Sequence, residues 1–487
     1  MSTQEIDLLI IGGGINGVGI AADAAGRGLK VSLCEINDLA SGTSSYSSKL
    51  IHGGLRYLEH CHFGLVRQSL KERERLLRLA PHLVRPMSFY LPLTDARPAW
   101  LVRFGLYLYD CLAGQSQLAK SAWIQFAADD PDQPLKPDFR AGLRYSDCTV
   151  DDARLVITNA LAAKQQGADI LTRTDCQSVS RKQGCWHIKL YDKSSNQYRQ
   201  IQAKALVNAT GPWCQHFIEQ TLGQSSPYSI RLVQGSHIVV PKLYTANQAF
   251  VLQHADQRIA FVIPFQQDYS LIGTTDLEIS GSPEQAQVTE QEIVYLLNLV
   301  NHYFKKQLTQ ADICWQFCGV RPLLNDRKSN PAKVTRDYKL AVEDEAGQAP
   351  LISVFGGKLT GYRQLAEQVV NRLKPYFSNL GPAWTARHRL PGGDQSSGWQ
   401  KRYPWLAKAL GQRYEANYGS LSQQLLAGCS SSADLGRHFG CGLYQREVDY
   451  LLGQEWACSV EDVLWRRTKL GLKLDQRQIN SLADYLK

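Results

Sequence analysis

The sequence predicts an α/β fold in which a doubly wound, largely parallel sheet is interrupted by β-rich insertions and followed by a helical tail. Three observations predict it. A glycine-rich turn joins an apolar strand to an Ala-rich helix and then a second strand within residues 6–35. The same helix-and-strand pattern returns at 151–211 and at 351–373. Between these returns lie alternating apolar runs bounded by turn residues, and beyond residue 389 a Gly/Ser stretch leads into helical periodicity.

Ile6 to Ile11 is a continuous apolar run, the pattern of a parallel strand buried on both faces. Gly12, Gly14 and Gly17 follow as G-x-G-x-x-G. Gly12 permits the tight turn, Gly14 lets backbone approach a pyrophosphate, and Gly17 lets helix and strand pack closely. The helix N-terminus offers free N–H groups and partial positive charge to phosphates. The helix ends at Gly26 or Gly28, and Lys30 to Cys34 forms the second strand. Glu35 closes that strand, where a carboxylate accepts hydrogen bonds from a ribose diol and disfavours a 2′-phosphate. Strand, helix, second strand and terminal acid together specify a Rossmann-like dinucleotide unit. The motif alone does not separate NAD from FAD, although its place at the start of a long chain leans to FAD.

At 151–211 a helix carries Leu155, Val156, Ala160 and Ala163, and a strand ends in Asn208-Ala209-Thr210-Gly211. That small turn suits close approach of backbone to a cofactor. The third return is an apolar strand from Leu351 to Phe355, then Gly356-Gly357-Lys358-Leu359-Thr360 and a helix with Leu365, Val369 and Leu373. Its N-terminal dipole can stabilise negative charge on a flavin ring. Two helix N-termini, one for pyrophosphate and one for a ring, suit FAD better than NAD.

The chain has 487 residues, more than one core usually supports (~250–300). The nucleotide domain is expected to comprise 1–71, 148–221 and 331–388. A substrate cap would occupy 72–147 and 222–330, with runs such as GSHIVV and IAFVIPF, and a C-terminal helical domain 389–487. Within the tail, Leu421 to Leu426 and Val463 to Leu474 read as helices.

The net charge of +9 marks a moderately basic enzyme or attraction to anionic substrates and headgroups. No Lys/Arg run is long enough for a nucleic-acid arm, so no nucleic acid is expected. The 12 cysteines include no C-x-x-C pair, so no metal is expected, and scattered thiols point to a reducing compartment. Glu5 and Asp7 stand where a leader would be apolar, and no stretch approaches the ~20 apolar residues of a span. The expected place is the cytoplasm. Residues 97–114 mix Arg97 and Arg103 with Trp100, Phe104, Tyr107 and Tyr109, which suits either an interfacial helix or a packed one. Residues 464–473, LWRRTKLGLK, are the other basic and apolar candidate.

The chain resembles the FAD-dependent glycerol-3-phosphate dehydrogenases of aerobic respiration. The resemblance rests on IIGGGINGVGIAADAAGRGL, TSSYSSKLIHGGLRYLE, YSDCTVDDARLV, VNATGPW, GSHIVVP, FVIPF, IGTTD, GVRPL, TRDY and SVFGGKLTGYR, in the family's order. The tail adds YPWL, DLG with FG, and LWRRTKLGL. One departure is Gly361, where the family pattern ends in a hydroxyl residue. The resemblance implies FAD as cofactor and oxidation of glycerol 3-phosphate to dihydroxyacetone phosphate. Hydride would pass from carbon 2 to flavin N5 and electrons to a membrane quinone, at the inner face of the cell membrane. A homodimer is compatible with this and is not specified.

A small dianion needs cations and donors in a pocket. Arg321, Arg336 and Arg56 with Tyr57 are the expected phosphate ligands, and Thr274 and Thr275 supply hydroxyls. Removing the alcohol proton needs a base. His237 is the expected one and His52 the second candidate. Arg321 and Lys358 would stabilise the forming alkoxide. The hydroxyl-rich loop, with Thr43, Ser44 and Ser48, is expected to line the cofactor, while Gly53-Gly54 let the chain pass beneath it. The helix after it, with Val66, Leu70, Arg73 and Leu77, would anchor the loop until Pro81. An FAD oxidase of the same fold using oxygen is the rival reading, and a nucleotide-binding regulator without turnover is the rival from another class.

Overall fold

The computed structural model describes residues 4–94, 97–127, 132–254, 258–325, 337–394 and 398–487, with the side chains at 56 and 60 outside that description. Two large sheets organise the chain, and a two-stranded one, His438–Gly440 with Leu443–Tyr444, lies in the tail. Five parallel strands form the heart of the first, in the order Gln348–Phe355, Gln197–Asn208, Gln4–Ile11, Val31–Cys34 and Asp169–Leu171. The opening strand sits at the centre because it is apolar on both faces. Leu8 and Ile10 pack with the helices, while Leu9 and Ile11 pack with Trp186, Ile188 and Leu190 of the strand Cys185–Asp192. Three helices cover the first face. Ile15–Gly26 lies against Asp152–Gln165 and Tyr362–Arg372. Asp151 caps the second of these by accepting from the Arg154 amide at 2.9 Å.

The second sheet is mainly antiparallel. Trp315–Leu324 pairs along its whole length with the strand Ile230–Pro241, and Tyr269–Gly273, Ile259–Phe265 and Ala249–Gln253 extend the sheet to Val84–Pro92 and Ala141–Val150. Alternation in these strands sends one face to the helix Glu290–Tyr303 and the other towards Phe63–Leu79 and Ala99–Ala113. Thr289 and Glu292 close a capping box on the first of these helices. The second sheet starts earlier in the chain than residue 72, because Leu50–Ile51 already pairs with Ala141–Val150. The hydroxyl loop therefore spans from one sheet to the other.

The helix Ala99–Ala113 buries Leu106 and Tyr109 and exposes Trp100 (70%), Leu101, Phe104 and Tyr107. The other basic and apolar stretch is different. Leu464, Arg466, Arg467, Lys469 and Leu470 are buried, so most of 464–473 packs inside the fold. It forms two single turns, Asp462–Arg467 and Leu470–Leu472, rather than one helix. The longer helices of the tail are Lys408–Tyr418, Gln445–Gln454 and Gln476–Tyr485. They share a core with the helix face of the first sheet, where Tyr414, Leu451 and Val463 join Val156 and Ile157 in one cluster. Ion pairs cross the same boundary: Arg154 with Glu455, Arg173 with Asp462, Lys469 with Asp151, and both Arg466 and Arg467 with Asp38.

Candidate active site

One cavity of about 1320 Å³ runs between the two sheets. Gly12, Gly14, Glu35, Thr43, Ser44, Ser48, Tyr57, Ala209, Thr210, Gly211, Thr274, Arg321 and the run Gly356 to Thr360 all line it. At one end is the first glycine turn. Gly12 has φ of 111°, and a Cβ there would stand 2.5 Å from the Ala209 carbonyl oxygen. Gly17 lies behind the wall. A Cβ on it would fall 1.9 Å from the Gly12 carbonyl oxygen, so its contribution is packing. Glu35 differs from a free ribose ligand. Its two oxygens accept from the Gly13 amide at 2.6 Å and the Asn37 amide at 2.9 Å. Burial raises its carboxyl above the usual range, and those amides partly offset the rise. A carboxylate with two amide donors retains lone pairs for a diol.

The hydroxyl loop is tied to protein more than the sequence suggests. Thr43 Oγ1 donates to the Val320 carbonyl at 2.6 Å, and Ser44 Oγ accepts from the Ile15 amide at 3.0 Å. Ser47 Oγ donates to Asp152 at 2.7 Å. Lys49, buried and left-handed at φ 58°, donates to both Asp152 oxygens at 2.9 and 3.0 Å and to the Ser45 carbonyl at 2.8 Å. These bonds position the loop, leaving its cavity-facing surface to Thr43, Ser44, Ser47 and Ser48.

The second glycine junction meets the first. Gly356 and Gly357 have φ of 82° and 108°, and a Cβ on Gly357 would meet Asn16 Nδ2 at 2.9 Å. Asn16, which the sequence reading missed, donates to the Gly356 carbonyl at 3.4 Å and so joins the two junctions. Its Oδ1 is buried and has no hydrogen-bond partner among the described residues. Such a group fits a cradle that a bound molecule completes. Its place inside the first glycine motif, next to Gly14 and Gly17, was the available signal.

Charged groups stand beside the second junction, where the Pro322 carbonyl after Arg321 approaches Gly356. Lys358 Nζ stands 3.8 Å from the centroid of the Tyr57 ring. Arg321 pairs with Asp276 and donates to Thr274 Oγ1 at 2.9 Å. Asp276 is a second residue the sequence reading missed, one position beyond the two threonines. Thr275 is buried and belongs to the scaffold, donating to Glu292 at 2.6 Å. His52 lines the cavity, and its amide donates to Thr360 Oγ1 at 3.2 Å.

His237 is placed differently from a base in direct contact. It is only 2% exposed and does not line the cavity. Its ring stacks on Phe317 at 4.9 Å and 13°, and Ser48 stands between it and the cavity with Oγ 2.9 Å from Nε2. Burial holds this imidazole well below the usual histidine range, and Arg321 and Lys49 push the same way. Arg336 lies outside the described residues, as does the Arg56 side chain, whose backbone belongs to the turn Leu55–His60.

The glycine cradle, the two helix N-termini and the size of the cavity fit a dinucleotide with an extended ring system. Comparison with known proteins agrees. Residues 7–363 match the family described as FAD dependent oxidoreductase, and residues 383–485 match the C-terminal domain of alpha-glycerophosphate oxidase. The chain is 53% identical to the glycerol-3-phosphate dehydrogenase of Pseudomonas aeruginosa, over 99% of this chain and 95% of that one. It is 46% identical to the D-erythritol 1-phosphate dehydrogenase of Brucella abortus, over 99% and 98%. Among solved structures it superposes on the glycerol-3-phosphate dehydrogenase from Bacillus halodurans complexed with FAD, with a TM-score of 0.75 and 27% identity over 100% and 95%. The chain belongs to the family of FAD-dependent glycerol-3-phosphate dehydrogenases.

Proposed function

We propose that this chain oxidises glycerol 3-phosphate to dihydroxyacetone phosphate. The observation that carries the reading is that two polar pairs, Arg321 with Thr274 and Lys358 with Tyr57, line the dinucleotide cavity, the second of them at the second glycine junction. The flavin, when bound, supplies a hydride acceptor at N5. Gly12, Gly14, Asn16, Ala209 and Gly211 would hold its pyrophosphate end, Glu35 its ribose, and Gly356 to Thr360 its ring.

The chain's own groups do the rest. Arg321 and the Thr274 hydroxyl offer a directional site for a phosphate. Asp276 holds the guanidinium in place. Lys358, flanked by the Tyr57 face, puts a positive charge where an alkoxide would form. Arg56 and Arg336 are further cations proposed for the same anion. Phe261, Phe317 and Trp315 add apolar surface to the cavity lining.

Electrons are proposed to leave to a membrane quinone. The helix Ala99–Ala113 supports this with its exposed Trp100, Leu101, Phe104 and Tyr107, flanked by Arg97 and Arg103. The cavity reaches Arg97 at the foot of that helix. Among the described residues no helix is long and apolar enough to cross a membrane. The proposed location is the cytoplasmic face of the cell membrane.

The test is the visible spectrum of purified protein under argon. Glycerol 3-phosphate should bleach the flavin band, and a quinone analogue should restore it. D-erythritol 1-phosphate in parallel decides between a three-carbon and a four-carbon polyol phosphate. Bleaching by neither would refute the substrate reading. Recolouring by oxygen as fast as by quinone, with peroxide formed, would favour the oxidase.

A further inference from the structure

We propose that Ser48 is the hydroxyl through which buried His237 takes the substrate's alcohol proton. This rests on the oxidation proposed above and concerns how its proton leaves. A base must reach the proton, and the imidazole does not reach the cavity. Two neighbours keep it there. Phe317 stacks on one face of the ring, and the Gly273 backbone lies so close that a Cβ on it would be 2.2 Å from His237 Cδ2. The ring is thus held between its two cross-strand neighbours, behind the cavity wall. Its Nε2 instead meets a hydroxyl that lines the cavity, 2.9 Å away.

The hydroxyl is itself held. On the residue before it, Ser47 donates to Asp152, and the Lys49 amide on the residue after it donates to Ser47 Oγ at 2.9 Å. Lys49 is pinned by Asp152 and the Ser45 carbonyl. The charges around the ring set its resting form. Lys49 and Arg321 oppose an imidazolium, and the Gly235 backbone is the neighbour that favours it. The imidazole is thus neutral at rest and ready to accept. An anion bound at Arg321 offsets one of the two opposing charges, so substrate binding raises the basicity of His237.

The substrate O–H bond breaks and an O–H bond forms on Ser48, while the original Ser48 O–H bond breaks and an N–H bond forms at His237 Nε2. The electron pair left on oxygen forms the carbonyl as hydride departs from carbon 2 to the flavin. The substrate loses one proton and one hydride.

The experiment uses holoenzyme and the variants Ser48→Ala and Ser48→Thr. Anaerobic flavin bleaching by glycerol 3-phosphate is followed by stopped flow in H₂O and D₂O. Ser48→Ala should bleach ~10²–10⁴-fold more slowly, the span of a lost general base, and Ser48→Thr should recover most of the rate. A second readout needs no turnover. With ¹⁵N-histidine labelling, the His237 Nε2 resonance should move in Ser48→Ala and return in Ser48→Thr. Bleaching in Ser48→Ala within about threefold of wild type would overturn the relay while leaving the substrate reading intact. So would an unmoved Nε2 resonance, or a rate that Ser48→Thr does not recover. Wild-type protein that glycerol 3-phosphate fails to bleach would refute the underlying oxidation, and the relay with it.

Discussion

Arg467 of the C-terminal domain places Nη1 and Nη2 at 2.6 and 2.9 Å from the two carboxylate oxygens of Asp38, 429 residues away in sequence. Both side chains are buried, and Arg466 joins the same carboxylate. Asp38 begins the segment that leads from Glu35 to the hydroxyl loop. The C-terminal domain therefore holds the loop that lines the cofactor cavity. Removing one partner from a buried pair strands the other charge, at a cost of ~3–5 kcal/mol. Arg467→Met should lose stability at the lower end of that span, because Arg466 remains. It should also retain less flavin through purification. Thermal melting and the flavin-to-protein ratio check both, and an unchanged ratio would separate the tail from the cofactor site.

Two glycines of one motif should respond very differently to alanine. A Cβ on Gly17 meets a backbone carbonyl at 1.9 Å, which no rotamer can relieve, whereas a Cβ on Gly14 meets Ser44 Oγ at 3.1 Å, the end of a movable side chain. Gly17→Ala should yield protein without flavin, or none that is soluble. Gly14→Ala should fold and weaken flavin binding moderately. Titration of each apoprotein with FAD compares them. Equal loss in both would contradict the packing role given to Gly17.

The Arg321–Asp276 pair predicts a split between binding and turnover. Charge-assisted hydrogen bonds contribute ~1.5–3 kcal/mol. Arg321→Met should therefore raise KM for a phosphorylated substrate by about 10- to 100-fold, with a much smaller change for glycerol. Asp276→Asn removes a negative charge beside the proposed dianion site. It should tighten inhibition by inorganic phosphate while lowering kcat, because the guanidinium loses its anchor. Phosphate inhibition unchanged in both variants would move the anion site away from Arg321.

Acid should destabilise the fold through two buried histidines. His82 packs against the backbone at Gly392 and Gly419. Burial, with Arg154 and Arg85 nearby, lowers its pKa to about 3, and His237 is also held well below 6.5. In the unfolded chain each takes a proton near ~6.5. Above that pH neither histidine is protonated in either state, and their contribution is flat. As pH falls below ~6.5 the unfolded state binds protons the native state refuses, so stability drops by up to about 1.4 kcal/mol per pH unit for each group. Tm should be constant above pH 7 and fall from pH 6.5 to 4.5, before most carboxylates titrate. His82→Leu should flatten this slope by about half. An unchanged slope would show that His82 is protonated in the native protein.

Much of the fold is written locally. The apolar run before Gly12, the three-glycine spacing and the acid at Glu35 define a strand–turn–helix–strand unit by steric and dipole requirements that act within a few residues. The same holds at Gly356-Gly357 and in the alternating strands around His237 and Arg321. What these motifs share is short range, so periodicity and turn chemistry reveal them. The tertiary structure decided the rest, because its determinants join segments far apart in the chain. Ser48 and His237 are 189 positions apart, and the tertiary packing that brings Phe317 and Gly273 against the imidazole sets it behind that hydroxyl. The partners of Lys49, Arg154, Lys469 and Arg467 are likewise remote. A buried charge needs a counter-charge from wherever the fold can bring one, and neighbouring residues in sequence do not say which.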